Sequence, residues 1–251
     1  EQLKQVRHYF VGSKSINEYY NASMYEQEVM QLLESLFTTS PVQMLSGGSM
    51  MYIDAVCNGI DDIPTVDDKT REWMKQRLAT EGLPALVEEL KHLDPEHWAL
   101  VDRNNPRRVV HALEICRMTG KTYTSFRKNE KKQRQFDIIK IGVNRPREEL
   151  YERINRRVEE MIANGMVEEA RKMYPMRELN ALNTVGYKEL FEHFDGAITL
   201  EEAIYKIQSN TRRYARKQLT WFRRDETIHW FSLDKDSIDT IIGYCRENIL
   251  A

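Results

Sequence analysis

Residues 206–224 carry the side chains of this sequence that are best suited to binding a polyanion. The run contains seven Lys or Arg residues and no acidic one, although the net charge of the whole chain is only −2. Tyr214, Gln218 and Trp221 stand among these cations. Basic groups follow a nucleic-acid backbone, and aromatic or amide side chains can meet unstacked bases. The run therefore predicts contact with nucleic acid or phosphate; a helix with Trp221 and Phe222 in the core is the alternative.

Two pairs of arginines elsewhere have a spacing that suits phosphate. Arg153 and Arg157 lie one helical turn apart, so their planar guanidinium groups could grip a pyrophosphate together. Arg107 and Arg108 fall in the first turn of a predicted helix, where backbone N–H groups favour anions. A solvated helix face is the alternative for both pairs.

A Ser-Gly-Gly-Ser sequence at residues 46–49 is a candidate ligand-binding turn. It follows an apolar stretch, 41–45, that predicts a short buried strand. Two glycines after a strand let the backbone approach a ligand closely, and Ser49 adds a hydroxyl at the carboxyl edge, where open α/β sheets bind their ligands. A tight turn with no further role is an equally good interpretation.

Residues 119–122, Thr-Gly-Lys-Thr, look like the end of a phosphate-binding Walker A loop, but the spacing excludes one. The first glycine of the pattern G-x-x-x-x-G-K-[ST] would fall on Ile115. Because the residues before Gly120 have a helical pattern, we predict that Gly120 ends a helix.

These candidates are placed on elements by hydrophobic periodicity. A helix over 22–37, the strand at 41–45 and a helix from residue 50 form an α/β pattern, which predicts a parallel sheet. Residues 67–127 are predicted to be almost wholly helical, and 136–143 to be a strand that returns to the sheet. We therefore predict an α/β protein whose core, 1–64 and 131–251, is interrupted by an inserted helical domain, 65–130.

Composition excludes several classes of protein. Hydrophobic residues make up 41% and charged residues 30%, an ordinary globular balance, and no apolar run is long enough to span a membrane. The three cysteines and six histidines have no metal-ligand or disulfide-framework spacing. We expect a cytoplasmic monomer without a metal site of its own.

Several stretches together resemble one family, the bacterial tRNA dimethylallyltransferases (isopentenyl-diphosphate:tRNA transferases). The matching stretches occur in the family's order and cover nearly the whole chain. They are residues 47–52, 61–64, 107–114 with 119–121, 153–165, 183–189 and 214–223.

The resemblance implies a P-loop NTPase-like core with an inserted helical domain and a helical carboxyl-terminal part. It implies transfer of a dimethylallyl group from dimethylallyl diphosphate to the N6 amine of the adenosine 3′ to the anticodon. The partners would be the tRNA anticodon stem-loop and the diphosphate, which enter a channel from opposite sides while the target base is flipped out.

The resemblance also assigns roles to individual residues. Ser49 stands at the family's threonine, whose hydroxyl lies near the reacting adenine, and is the catalytic candidate. Gly47, Gly48, Arg153 and Arg157 are the candidates for binding the diphosphate. The candidates for binding tRNA are Arg71, Arg107, Arg108, His111, Val185, Gly186, Tyr187, Lys188, Arg212, Arg216, Lys217, Gln218, Thr220, Trp221 and Arg223. Where Arg107 and His111 stand, the family often has Gln and Arg.

The chain departs from the family at its beginning. The family starts with a strand, a Walker A loop and a helix, about 50 residues that this sequence does not contain. The resemblance places there the general base, an Asp, and the loop that holds the diphosphate with Mg²⁺. We therefore expect residues 1–251 by themselves to be nearly inactive.

Two other functions fit parts of the pattern. An adenylate isopentenyltransferase that prenylates free nucleotide would share the core chemistry, but it has no need of a helical insert or of the basic run. A non-catalytic RNA-binding helical module would explain the basic run and leave Ser49 and the glycines without a role.

Overall fold

The structure, a computed structural model, describes residues 5–128 and 130–250, without the side chain of Leu250. The described chain forms two compact units. The first unit consists of residues 5–21, 36–50 and 136–250, and the second of residues 22–35 and 51–135. Compactness alone does not test the predicted domain division at residues 64/65 and 130/131, which stays a prediction.

The second unit is helical. Its elements are α1 (Ala22–Phe37, whose last two residues belong to the first unit), α2 (Met50–Asn58, from Met51 onward), α3 (Asp68–Leu93), α4 (Pro95–Leu100) and α5 (Pro106–Thr119). The predicted helices over 22–37 and from residue 50 are thereby confirmed.

Local signals in the sequence explain where these helices begin and end. The Asp67 side chain accepts a hydrogen bond from the Thr70 N–H at 2.8 Å and so caps α3. At Gly82, φ is 78°, a value that interrupts the helix, and Pro84 follows in the first turn after the kink. Asn105 caps α5, and Gly120 ends it with φ of 68°. The prediction that Gly120 terminates a helix is confirmed.

A closed apolar core holds α3, α4 and α5 together. The kink at Gly82 divides α3 into two segments, and both contribute to this core, which includes the loop residue Val101. The buried residues are Met74, Leu86, Leu90, Val101, Val109, Ala112 and Leu113. The buried Asp94 carboxylate caps α4. Its Oδ1 atom accepts hydrogen bonds from the His97 N–H and from the Thr124 hydroxyl.

The first unit combines a small sheet with helices. Its elements are β1 (Ile141–Asn144), α6 (Arg147–Ala163), α7 (Met166–Met173), α8 (Tyr187–Phe194), α9 (Leu200–Phe222), β2 (His229–Ser232) and α10 (Ile238–Leu250). Strands β1 and β2 pair in parallel, with Ile141 opposite His229 and Asn144 opposite Ser232. The parallel arrangement agrees with the predicted α/β pattern, and α6 to α9 form the crossover that parallel strands require.

A second core lies where α6, α7, α8 and α9 meet. Its buried residues are Val158, Ala170, Leu182, Leu190, Phe191, Ala203 and Ile207. The Thr199 hydroxyl and the Glu202 carboxylate form a reciprocal cap at the start of α9, which fixes where this long helix begins.

Two predictions about strands need correction. Residues 41–45 are not a buried strand: Met44 is 90% exposed, and 46–49 form no tight turn. A strand requires a neighbour for its backbone hydrogen bonds, and no described segment pairs with 41–45. The predicted strand at 136–143 begins only at Ile141, because pairing with β2 starts there.

Candidate active site and nucleic-acid interface

Residues 47–49, called the Ser49 segment from here on, run directly into the first turn of α2. Ser49 is exposed, and its hydroxyl has no hydrogen-bond partner within the described chain. The Gln218 side chain in α9 donates a hydrogen bond from Nε2 to the Gly48 carbonyl oxygen at 2.7 Å. This contact lies inside the first unit and connects the basic helix with the catalytic candidate.

The basic run of the sequence forms the second half of α9 and the turn that follows. Arg216, Lys217 and Arg223 are exposed, and their side chains have no ion pair or hydrogen bond with any other described residue. Such cations are free to contact phosphate. Trp221 is half-buried, with the Arg224 guanidinium 3.9 Å from its ring centre. The structure therefore places the cations on the surface and Trp221 at the margin of the protein interior.

Helix α6 packs against α9 and presents the two predicted diphosphate-binding arginines. The Arg212 Nη1 atom donates to the Asn155 Oδ1 atom at 2.5 Å, and Gln208 Nε2 lies 3.3 Å from Glu159 Oε1. Arg153 and Arg157 are exposed and make no ion pair or hydrogen bond with another described residue. Their guanidinium groups are therefore available to an anion.

Helix α9 thus contacts both parts of the candidate active site. It meets α6 at Arg212 and the Ser49 segment at Gln218, six positions later, which corresponds to about 9 Å along the helix axis. No hydrogen bond joins Arg153 or Arg157 to Ser49 among the described residues. Helix α6, which carries the two arginines, and the Ser49 segment are thus both hydrogen-bonded to α9.

The loop before α8 and the first turn of that helix carry the predicted tRNA contacts at residues 185–188. The buried Glu189 carboxylate accepts hydrogen bonds from the Gly186 N–H at 2.7 Å and from Asn210 Nδ2 at 2.6 Å. Asn210 in turn accepts one from Arg213 Nη1 at 3.0 Å. The loop is therefore fixed to α9, and Lys188 is exposed in the first turn of α8.

Tyr187 is already engaged within the protein. Its hydroxyl hydrogen-bonds the Glu169 carboxylate, and this contact, with a smaller effect of burial, raises the pKa of Tyr187 to about 12. The phenol is therefore neutral at physiological pH, and its proton is committed to Glu169.

The remaining predicted tRNA contacts lie in the second unit. Arg107 and Arg108 are exposed in the first turn of α5, and their side chains have no partner within the described residues. His111 stands one turn further, with its Nδ1 atom 3.4 Å from Glu114 Oε2. Arg71 Nη2 donates to the Val66 carbonyl at 3.3 Å. His111 and Arg71 are thus held by neighbouring residues, whereas the side chains of Arg107 and Arg108 are available to a ligand.

Sequence reasoning missed the residues that hold the site together. Asn155, Glu189 and Asn210 contact predicted site residues without having been singled out. Glu189 could have been found, because it lies three positions after Gly186, which is capping-box spacing at a helix start. Asn155 and Asn210 carry no such signal, because their partners lie 57 and 21 residues away in the chain.

Neither metal ligands nor membrane spans emerge from the described residues. No group of three or more His, Cys, Asp or Glu side chains there is arranged to hold a metal ion. No helix in the described chain is both long and apolar enough to cross a bilayer. A surface depression of about 460 Å³ lies beside the first turns of α9, at Ile198 and Tyr205, and includes no predicted site residue.

Comparison with known proteins gives consistent results. The sequence profile of the family described as IPP transferase matches residues 1–225. The tRNA dimethylallyltransferase 1 of Bacteroides fragilis (strain YCH46) is 57% identical over 249 residues, which are 99% of this chain and 82% of that protein. The tRNA dimethylallyltransferase 2 of Parabacteroides distasonis is also 57% identical, over 100% of this chain and 83% of that protein.

Solved structures agree with the sequence matches. The full-length tRNA isopentenylpyrophosphate transferase from Bacillus halodurans has a TM-score of 0.66 and 32% identity, covering 99% of this chain and 79% of that one. This likeness confirms the predicted α/β fold class.

Proposed function

Because the chain belongs to the IPP transferase family, we propose that it transfers a dimethylallyl group from dimethylallyl diphosphate to tRNA. The acceptor is the N6 amine of the adenosine 3′-adjacent to the anticodon, as the sequence resemblance implies. The structural observation that supports this proposal most strongly is the hydrogen bond between Gln218 and Gly48. It joins a helix with exposed cations to the segment that presents a free hydroxyl.

The reaction is a displacement at the allylic carbon. The bond between this carbon and the diphosphate oxygen breaks, the bond from N6 to the carbon forms, and N6 loses one proton. Negative charge grows on the departing diphosphate, so cations near it stabilise the transition state. Arg153 and Arg157 are our candidates for this task, because both are exposed, one helical turn apart and unpaired within the described chain.

Ser49 is our candidate for orienting the acceptor. Its hydroxyl can accept a hydrogen bond from the adenine amine and so direct the nitrogen lone pair at the allylic carbon. The exposed position and the absence of a partner among the described residues leave the hydroxyl available for this contact. The base that accepts the N6 proton is not among the residues proposed here; the resemblance gives this role to an Asp.

Exposed cations supply the binding of the tRNA backbone in this proposal. The first unit offers Arg216, Lys217, Arg223 and Lys188, and the second offers Arg107 and Arg108. The remaining residues assigned by the resemblance would assist them, apart from Gln218, which contacts Gly48: Arg71, His111, Val185, Gly186, Tyr187, Arg212, Thr220 and Trp221. Phosphate contacts of this kind give affinity that falls with rising salt concentration.

In this proposal Mg²⁺ would bind together with the diphosphate of the donor. The described residues do not fit a magnesium site, because they offer no cluster of carboxylates for one. We therefore assign it no step. The monomeric state and the cytoplasmic location stay predictions.

An acceptor comparison tests the proposal. The full-length protein would be given labelled dimethylallyl diphosphate with either unmodified tRNA or AMP. We expect label in tRNA at the adenosine beside the anticodon and none in AMP. Preferential labelling of AMP would favour the free-nucleotide enzyme, and binding of tRNA with no transfer to either acceptor would favour the RNA-binding module.

A further inference from the structure

We propose that Gln218 is a positioning residue, which sets the place of the Ser49 hydroxyl by holding the Gly48 carbonyl. The inference rests on the proposed function, since Ser49 matters only if it meets the acceptor. It gives Gln218 a role that differs from the tRNA contact implied by the sequence resemblance.

The direction of the hydrogen bond is fixed by chemistry. A backbone carbonyl can only accept, so the side-chain atom that lies 2.7 Å from the Gly48 oxygen has to be the amide nitrogen of Gln218. Both residues are half-buried. Apart from the hydrogen bonds of α2 itself, no other hydrogen bond to residues 46–49 occurs in the described chain.

The two residues also fit each other sterically. A Cβ atom at position 48 would lie 2.3 Å from the Gln218 Nε2 atom, far inside van der Waals contact. Glycine at 48 therefore leaves the space that the amide group fills. An Asn at 218, one methylene shorter, would not reach the carbonyl from the same helix position.

The face of α9 on which Gln218 lies favours a role inside the protein. Its neighbours Ala215, Leu219 and Phe222 are half-buried, whereas Arg216 and Lys217 are exposed. The cations that suit a polyanion therefore project from one side of the helix, and Gln218 belongs to the side that packs. Gly48 directly precedes Ser49 in the chain. Holding the Gly48 carbonyl therefore limits how far the Ser49 hydroxyl can move.

The test replaces Gln218 by Met, which keeps the length and the helix propensity but cannot donate a hydrogen bond. We expect the single-turnover transfer rate at saturating tRNA and dimethylallyl diphosphate to fall about tenfold, since a lost positioning contact lowers the rate of the chemical step. The dissociation constant for tRNA should stay within about twofold. Gln208→Met is the matched control, because Gln208 lies on the same helix and its amide contacts α6.

A direct readout accompanies the rates. Hydrogen–deuterium exchange of the peptide containing residues 46–50 should become faster in Gln218→Met and stay unchanged in Gln208→Met. An unchanged single-turnover rate in Gln218→Met, or unchanged exchange of this peptide, would overturn the proposal whatever happens to the tRNA affinity.

A double-mutant cycle checks that the effect passes through Gly48. Gly48→Ala alone should slow transfer, because the added methyl group displaces the amide of Gln218. Combined with Gln218→Ala, which removes that amide, Gly48→Ala should add little further loss. Fully multiplicative losses would show that the two residues act independently and would overturn the proposal.

Failure of the proposed function gives a different result. If the wild-type protein transfers nothing to tRNA, the transferase proposal fails. The exchange measurement then still decides whether Gln218 holds the Ser49 segment.

Discussion

The core of the second unit and the Ser49 segment of the first unit are held in place by different kinds of interaction. In the core, Met74, Leu86 and Leu90 are fully buried, each among many apolar neighbours. The Ser49 segment is exposed at Ser49, and a single side chain outside α2 hydrogen-bonds to it. Many weak apolar contacts stabilise the core together, whereas one oriented hydrogen bond holds the Ser49 segment. Stability and chemistry should therefore respond to different substitutions.

The largest effect that we expect is a loss of stability in the core. Leu86→Ala should lower the free energy of unfolding by about 3 kcal/mol, because a fully buried leucine leaves a cavity behind. Chemical denaturation measures this change. Leu100→Ala, at a position 75% exposed, is the control and should change stability by less than about 0.5 kcal/mol. Slower transfer by Leu86→Ala under conditions in which the protein remains folded would contradict the separation of stability from chemistry.

Ser49→Ala should show the reverse pattern. We expect the single-turnover transfer rate to fall about 100-fold, the size of effect seen when one transition-state hydrogen bond is removed. The unfolding midpoint should hardly change, because Ser49 is exposed. Ser49→Thr retains the hydroxyl and should retain most of the activity. Equal rates for wild type and Ser49→Ala would remove Ser49 from the mechanism.

Arg153 and Arg157 test a case between these extremes, a charged pair on a helix face. Each single Arg→Gln substitution should lower kcat/KM for dimethylallyl diphosphate several-fold, and the double substitution about tenfold or more, since each guanidinium binds the anion in part. Arg156→Gln is the control, because Arg156 is exposed on the same helix with Glu160 3.7 Å away. Steady-state kinetics with the donor varied measures these changes. A similar loss of kcat/KM in Arg156→Gln would contradict a specific role of Arg153 and Arg157 and would assign the effect to the general positive charge of the helix.

The smallest expected effect concerns the ion pair beside the sheet. Burial alone would raise the pKa of Asp225, but hydrogen bonds from Lys140 and Thr227 outweigh it and lower the pKa to about 2. A lowered folded-state pKa stabilises the fold above the ordinary value, near pH 4, and this stabilisation disappears as the pH falls towards 2.

Asp225→Asn should therefore be less stable than wild type by about 1 kcal/mol at neutral pH, a figure reduced for solvent screening, and equally stable near pH 2. Denaturation curves at several pH values measure the difference. Glu226→Gln, at the exposed neighbouring position, is the control and should change stability at neutral pH by less than about 0.5 kcal/mol. A gap that is constant with pH would mean that the charge of Asp225 is not the cause.

Helices could be predicted from the sequence where their signals are local. Asp67, Asn105 and Gly120 mark helix ends through contacts with residues close by in the chain, and the end predicted at Gly120 is found there. The prediction of a strand at 41–45 was wrong, because strand formation depends on signals that are not local. The apolar pattern of this stretch predicts a strand, but a strand exists only if another segment pairs with it, and pairing is decided by residues distant in the sequence.

The same distinction applies to the candidate site. The basic face of α9 can be recognised in the sequence because its residues lie close together in the chain. The contact between Gln218 and Gly48 joins residues 170 positions apart, and no spacing rule predicts it. The positions of Arg153 and Arg157 relative to Ser49 likewise depend on how α6 packs against α9, which periodicity does not specify.

The hydrogen-bonded chain from Gly186 through Glu189 and Asn210 to Arg213 has a thermodynamic consequence for RNA binding. A loop that is loose before it meets its ligand loses conformational entropy on binding, at a cost of about 0.5–1.5 kcal/mol for each immobilised side chain. Here much of that ordering is complete in the free protein, since a buried carboxylate already fixes the loop to the helix. For residues 185–188, which we propose as contacts of the anticodon arm, affinity would then be limited by desolvation and by salt, and only weakly by the ordering of the chain.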